Sequence, residues 1–141
     1  MTFNKALVII GIVLMLHALG IFFDLYGIWQ WYDIPLHFGG GFAAGALGLA
    51  IWNEGIEDVR FKGWMAKHLK WWLVPVFVMG IVAIISIGWE FHEFIIDEIF
   101  QDEKLRQLSV RDTMADFAFD LAGGTVAIAL FYRIKSLATA G

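Results

Sequence analysis

Three short acidic blocks carry the residues best suited to chemistry: Asp33-Ile-Pro-Leu-His37, Glu90-Phe-His92-Glu93 and Asp112-Thr-Met-Ala-Asp116, the last continuing to Asp120. On a helix, residues three or four apart share a face. Asp33 with His37, Glu90 with Glu93 and Asp97, and Asp112 with Asp116 and Asp120 therefore make three polar stripes. A lone charge at the centre of a bilayer costs about 2.5–3.5 kcal/mol on insertion scales, and neighbouring carboxylates also repel. A divalent cation relieves both penalties, and carboxylates with an imidazole suit Zn²⁺, Mn²⁺ or Fe²⁺. The expected ligands are His37, Glu90, Glu93, Asp112 and Asp116, with Asp33 and Asp120 orienting them. Glu90 and Asp116 are the candidate catalytic carboxylates. The chemistry such a site offers is metal-assisted hydrolysis or transfer, with the ion activating water and a spare carboxylate taking the proton.

Each of these residues also has a plainer use. Asp33 and Asp112 stand where helices are expected to start, which is N-cap chemistry. His37 on its own would pass for a hydrogen-bonded core histidine. Asp97, Glu98, Asp102 and Glu103 read as a wet loop. Glu90 and Asp116 resist such readings, because both lie among apolar residues. His92 points about 100° away from Glu93 on a helix, away from the pocket. His17 and Asp24 could reach the site from the first hydrophobic stretch.

The elements that must position these side chains are four hydrophobic stretches, at about 3–23, 35–52, 71–96 and 113–132. Roughly 20 helical residues cross a hydrocarbon core of about 30 Å. The expected fold is therefore all-α, a single transmembrane domain over 1–141 built as a four-helix bundle. The first stretch has only Lys5 before it and no small-residue cleavage signal after it, so it is expected to be a retained span. Pro35 suits the first turn of the second, where its missing N–H costs nothing. Between the second and third, about 55–70, Phe61, Trp64, Met65, Leu69 and Trp72 recur at helical spacing with Lys62, Lys67 and Lys70 among them. That pattern predicts a short cytoplasmic helix lying in the headgroup region. Gly39, Gly40, Gly41, Gly45 and Gly48 on the second stretch, with Gly123 and Gly124 on the fourth, offer small surfaces for close helix contact.

Composition agrees with the bilayer and excludes much else. Of 141 residues, 60% are hydrophobic and 17% charged, with a mean hydropathy of +0.70; a soluble domain runs nearer half apolar and a quarter charged. With no cysteine there is no thiolate metal site and no catalytic thiol. A net charge of −4 with no basic face argues against nucleic acid. If the spans alternate, Lys5, Arg60, Lys62, Lys67, Lys70, Arg133 and Lys135 fall on one side and Lys104, Arg106 and Arg111 on the other. The positive-inside rule then places both termini in the cytoplasm of a cell (inner) membrane and the acidic site toward the outside.

The three acidic blocks resemble those of the VanZ-like and YjdF-like families of small membrane proteins. The shared pattern is Asp-x-x-x-His-Phe-x-x-Gly, then Glu-x-x-Glu or Glu-x-x-Gln, then Asp-Thr-x-x-Asp before a Gly-rich stretch. Here it reads Asp33 to Gly41, Glu90 to Glu93, and Asp112 to Asp116 ahead of Gly123-Gly124, covering about residues 31–125. VanZ-like members tend to carry Gln at the position of Glu93 and Asn at that of Asp120, so this chain is nearer the YjdF-like pattern. YjdF-like proteins are usually longer, with extra helices. The resemblance implies a polytopic bundle with a polar site near one membrane face, and a link to the cell envelope through glycopeptide-antibiotic resistance. It implies no particular reaction.

Three functions are compatible with these residues. The first is a metal site acting on a lipid-linked or phosphate-bearing envelope substrate. The second is a proton- or cation-coupled transporter, since intramembrane acids are common relay groups. The third is a homo-oligomer or a structural subunit of a membrane complex, its acids paired to arginines of a partner or to its own Arg106 and Arg111.

Overall fold

The computed structural model describes residues 1–29, 31–56, 64–100 and 109–140, with side chains described throughout except at 64–70 and 135–140. Helix α1 (Phe3–Phe22) is followed by the single turn α2 (Leu25–Ile28), then α3 (Asp33–Ile51), which runs on through a π-helical turn at Trp52–Ile56. Helix α4 (Trp64–Phe100) and helix α5 (Val110–Ala140) complete the chain. Within these elements, Phe3–Phe22, Asp33–Ile56, Trp71–Phe100 and Val110–Ile134 are long and apolar enough to cross a membrane. The architecture is the expected all-α one, and no strand occurs among the described residues.

Helix α3 sits at the centre, packed against α5, α1 and α4. Half of its apolar stretch is buried, against 11% for α1, most of whose side chains are exposed. The sequence explains this position. Gly41, Ala43, Ala44, Gly45, Ala46 and Gly48 give α3 a surface with almost no side chain, so neighbouring backbones come close. The glycines of α5 do the same from the other side: a Cβ on Gly124 would lie 2.7 Å from a methyl of Val82, and one on Gly45 would lie 2.9 Å from Ala127.

The buried stripe of α4 changes chemistry along its length. Val74, Val78 and Val82 are buried, and stepping on by one turn each time brings Ser86 and Glu90, then Glu93, onto the same inner face. With Leu49 and Trp52 of the α3 segment, Val74 and Val78 form an apolar core at one end of the bundle. The other end is polar. At the apolar end Asn53 donates to the Met1 carbonyl at 3.3 Å and the Phe3 amide donates to Glu54 at 3.3 Å, which docks the start of α1. Exposed Trp71 and Trp72 stand towards that end of α4. Trp29 and Trp31, with rings stacked 5.7 Å apart, stand by the polar end. Tryptophans at both levels are what two membrane–water interfaces select.

Several boundaries differ from the sequence expectation, each for a local reason. Asp33 is already inside α3 and makes no capping bond, because its carboxylate turns to His37 one turn on. Asp112 is likewise inside α5. The cap there is Ser109, whose hydroxyl accepts from the Asp112 amide at 3.2 Å. Asp97 and Glu98 are helical rather than in a loop, since α4 continues to Phe100; Asp102 and Glu103 lie outside the described residues. Of the segment 55–70 expected as an interfacial helix, residues 57–63 lie outside the described residues, and Trp64–Lys70 form the opening turns of α4, continuous with the third span. Losing the Ser109 hydroxyl in Ser109→Ala is expected to cost about 1 kcal/mol of stability, read as a lowered midpoint of thermal unfolding in detergent.

Candidate metal centre

At the polar end, α3, α4 and α5 each deliver buried ionisable side chains to one place. His37, on the second turn of α3, is only 5% exposed. Its Nε2 lies 3.5 Å from Asp33 Oδ2 on its own helix and 3.7 Å from Asp116 Oδ1 on α5. Its Nδ1 lies 3.4 Å from Asp120 Oδ2, and the Ser86 hydroxyl of α4 donates to that same oxygen. From α4, Glu90 and Glu93 are buried beside it, and the Trp89 indole N–H donates to Glu93 Oε1 at 3.0 Å. His37 is the shared member of all three of these contacts.

Ligand geometry can be tested on these distances. Two donors on one ion with bonds of about 2.1 Å sit roughly 3.4 Å apart in a tetrahedral shell. The His37–Asp33 and His37–Asp116 separations of 3.5 and 3.7 Å are close to that edge. Two groups have one donor atom per residue all within 4.8 Å of one another: Asp33, His37 and Asp116, and His37, Glu90 and Glu93. His37 belongs to both. A ligating histidine usually has its other ring nitrogen held by a carboxylate, and Asp120, itself held by Ser86, stands at Nδ1 in that position.

Asp112 is half-buried in the first turn of α5 and belongs to neither group. Asp33, expected in an orienting role, is a member of the first group, while Asp120 Oδ2 lies 3.4 Å from the imidazole Nδ1. His92 is exposed, its ring tilted against Trp89 at 5.3 Å. Asp24 is exposed and turns the chain between α1 and α2 with φ of 54°, a left-handed conformation that aspartate tolerates better than most residues. Arg111 is exposed, and Arg106 lies outside the described residues.

His17 does reach the pocket, although not as a member of either group. It shares a 2.6 Å hydrogen bond with the Tyr26 hydroxyl, and its ring meets Trp89 edge-on at 5.0 Å. Burial pushes the Tyr26 phenol well above its usual range, and Asp33 and Glu93 push it further, so it stays a neutral hydroxyl. Sequence reasoning overlooked Ser86, Trp89 and Tyr26. Ser86 had a usable signal, since it lies four residues before Glu90 on the same stripe. Tyr26 had none, because only the turn after α1 folds it back. Beside the cluster lies a cavity of about 320 Å³ lined from α1, α3 and α4, with Tyr26 of α2 and Asp120 of α5.

With four apolar spans and a buried polar centre, the chain has the build of a multi-pass membrane protein. It belongs to the family described as "Predicted membrane protein (DUF2238)", whose model matches residues 2–136. No curated protein matches the chain. No solved structure matches it either.

Proposed function

We propose that the cluster holds one divalent cation, Zn²⁺, Mn²⁺ or Fe²⁺, near the non-cytoplasmic face of the cell membrane. The ligands are drawn from His37, Glu90, Glu93, Asp116 and Asp33, with Asp112 close by on α5. The observation that carries this reading is that His37 belongs to both groups of donors while Asp120 holds its other nitrogen. Such an ion supplies Lewis acidity toward a phosphoryl oxygen or a water molecule. Glu90 or Asp116 would take the proton, and Tyr26 and His17 border the adjoining cavity. The substrate class we favour is a lipid-linked or phosphate-bearing envelope compound, in keeping with the sequence resemblance to VanZ-like and YjdF-like proteins. The distribution of lysine and arginine supports cytoplasmic termini and an outward-facing site.

Elemental analysis of detergent-purified protein tests the reading. Wild type is expected to carry close to one transition-metal ion per chain. Glu90→Gln and Asp116→Asn each take a donor from one group, and each is expected to weaken the ion by roughly tenfold or more. No metal in any sample after incubation with Zn²⁺, Mn²⁺ and Fe²⁺ would overturn it. A second reading would then take its place. His37 with three carboxylates at 3.4–3.7 Å is also an arrangement that pairs a protonated imidazole without any ion. That state suits a proton- or cation-coupled transporter, or a subunit that assembles with partners through its acids.

A further inference from the structure

The cavity beside the cluster is polar at one end only. Tyr26, His37 and Trp89 stand at that end, while Val13, Ala44 and Val82 line it toward the middle of the bundle. From Trp89 to Val82 is seven residues of helix, so the apolar part extends about 10 Å along the bundle axis. Helix α1 meets α4 at the polar end, where the His17 ring rests on Trp89 at 5.0 Å. Below that contact the two helices line the cavity and are not among the closely packed pairs of the bundle.

The apolar part of such a cavity offers water no partners and takes apolar ligands. In a bilayer the apolar ligand at hand is a hydrocarbon chain. At about 320 Å³ the space is at the small end of ligand pockets, enough for one chain and not for the paired tails of a bulky phospholipid. We infer that this cavity seats the single hydrocarbon chain of an amphiphile whose phosphate head lies against the His37 cluster, entering sideways between α1 and α4. The phosphate head rests on the metal reading above; the chain seat rests on the cavity. The glycines and alanines of α3 have a second use here: Gly40 lines the cavity, and a Cβ there would come no nearer than 3.7 Å to Asp120, so packing alone does not demand glycine at that position.

The test is photolabelling in lipid nanodiscs with dodecyl phosphate bearing a diazirine at the end of its chain, read by peptide mass spectrometry. A dodecanol carrying the same diazirine serves as the second probe. Saturable labelling centred on Val13, Ala44 and Leu47 is expected, with the phosphate probe saturating at least tenfold lower than the alcohol. Val13→Trp fills the cavity from α1 without touching the acids, and is expected to reduce labelling at least fivefold while metal content and thermal midpoint hold. Non-saturable labelling confined to outward-facing residues such as Ile12, Ile84 and Leu130 would overturn the chain seat. So would labelling unchanged in a well-folded Val13→Trp protein. Saturable cavity labelling that survives complete chelation upholds the seat and counts against the metal alone, so the two failures are distinguishable.

Discussion

Replacing His37 with alanine is expected to remove ion-dependent stabilisation from the protein altogether. An ion that binds the folded state at a hundred times its dissociation constant adds about 2.7 kcal/mol. In wild type that increment should appear as a rise in the thermal midpoint on adding the preferred ion, and vanish on chelation. The carboxylates divide between the two groups, so losing one leaves a partial donor set; His37 is common to both. Its loss also removes the Nδ1 partner of Asp120, leaving that carboxylate to the Ser86 hydroxyl. His37→Ala should therefore unfold at the same temperature with and without ion. Asp120→Asn should fall between, with affinity weaker by about 10–100-fold, because it loosens the imidazole without removing a proposed ligand. A His37→Ala protein still stabilised by the ion to the wild-type extent would show that the ion binds elsewhere.

Much of the site was legible in the sequence, for a reason specific to membranes. In a soluble protein, acids at i and i+4 are ordinary surface residues. Inside an apolar span an acid has to face protein, so Glu90 and Asp116 identified the inner faces of α4 and α5 before any packing was known. His37 followed from its spacing to Asp33, and the glycines of α3 and α5 correctly implied that those helices meet closely. What escaped were the neutral partners. Ser86 and Trp89 are common residues in apolar helices, and nothing in their identity separates a donor to Asp120 or Glu93 from a residue facing lipid. The division of labour between Asp33 and Asp112 was also illegible. Each stands near a helix start, but helix boundaries shift by a residue or two with local capping, and such a shift decides whether a side chain caps the helix or lies on one of its faces. Ser109 took the cap of α5, and Asp33 turned inward to His37.

A large loss of stability is expected from a single methyl group on Gly123. A Cβ there would land on the Phe38 carbonyl and within 2.7 Å of the Phe42 amide nitrogen, both part of the α3 backbone. A side chain in the way can rotate aside; backbone cannot. Helices α3 and α5 would have to part, and overpacking against movable side chains already costs about 1–3 kcal/mol. Gly123→Ala is therefore expected to lose about 3 kcal/mol or more, measured as a fall in the thermal midpoint in detergent. Gly11→Ala, Gly80→Ala and Gly88→Ala are the matched controls. Nothing lies within 4 Å of a Cβ at those positions, and alanine there should be neutral or stabilising by up to about 1 kcal/mol through helix propensity. A Gly123→Ala protein as stable as these controls would rule out the close α3–α5 approach. Gly41→Ala carries the same argument into the site, because its Cβ would fall on the backbone of Asp120. Parting the helices there draws Asp120 and Asp116 away from His37, so ion affinity should fall at least tenfold in whatever fraction still folds. The same small surface that lets α3 pack is thus what sets the reach between its histidine and the aspartates of α5.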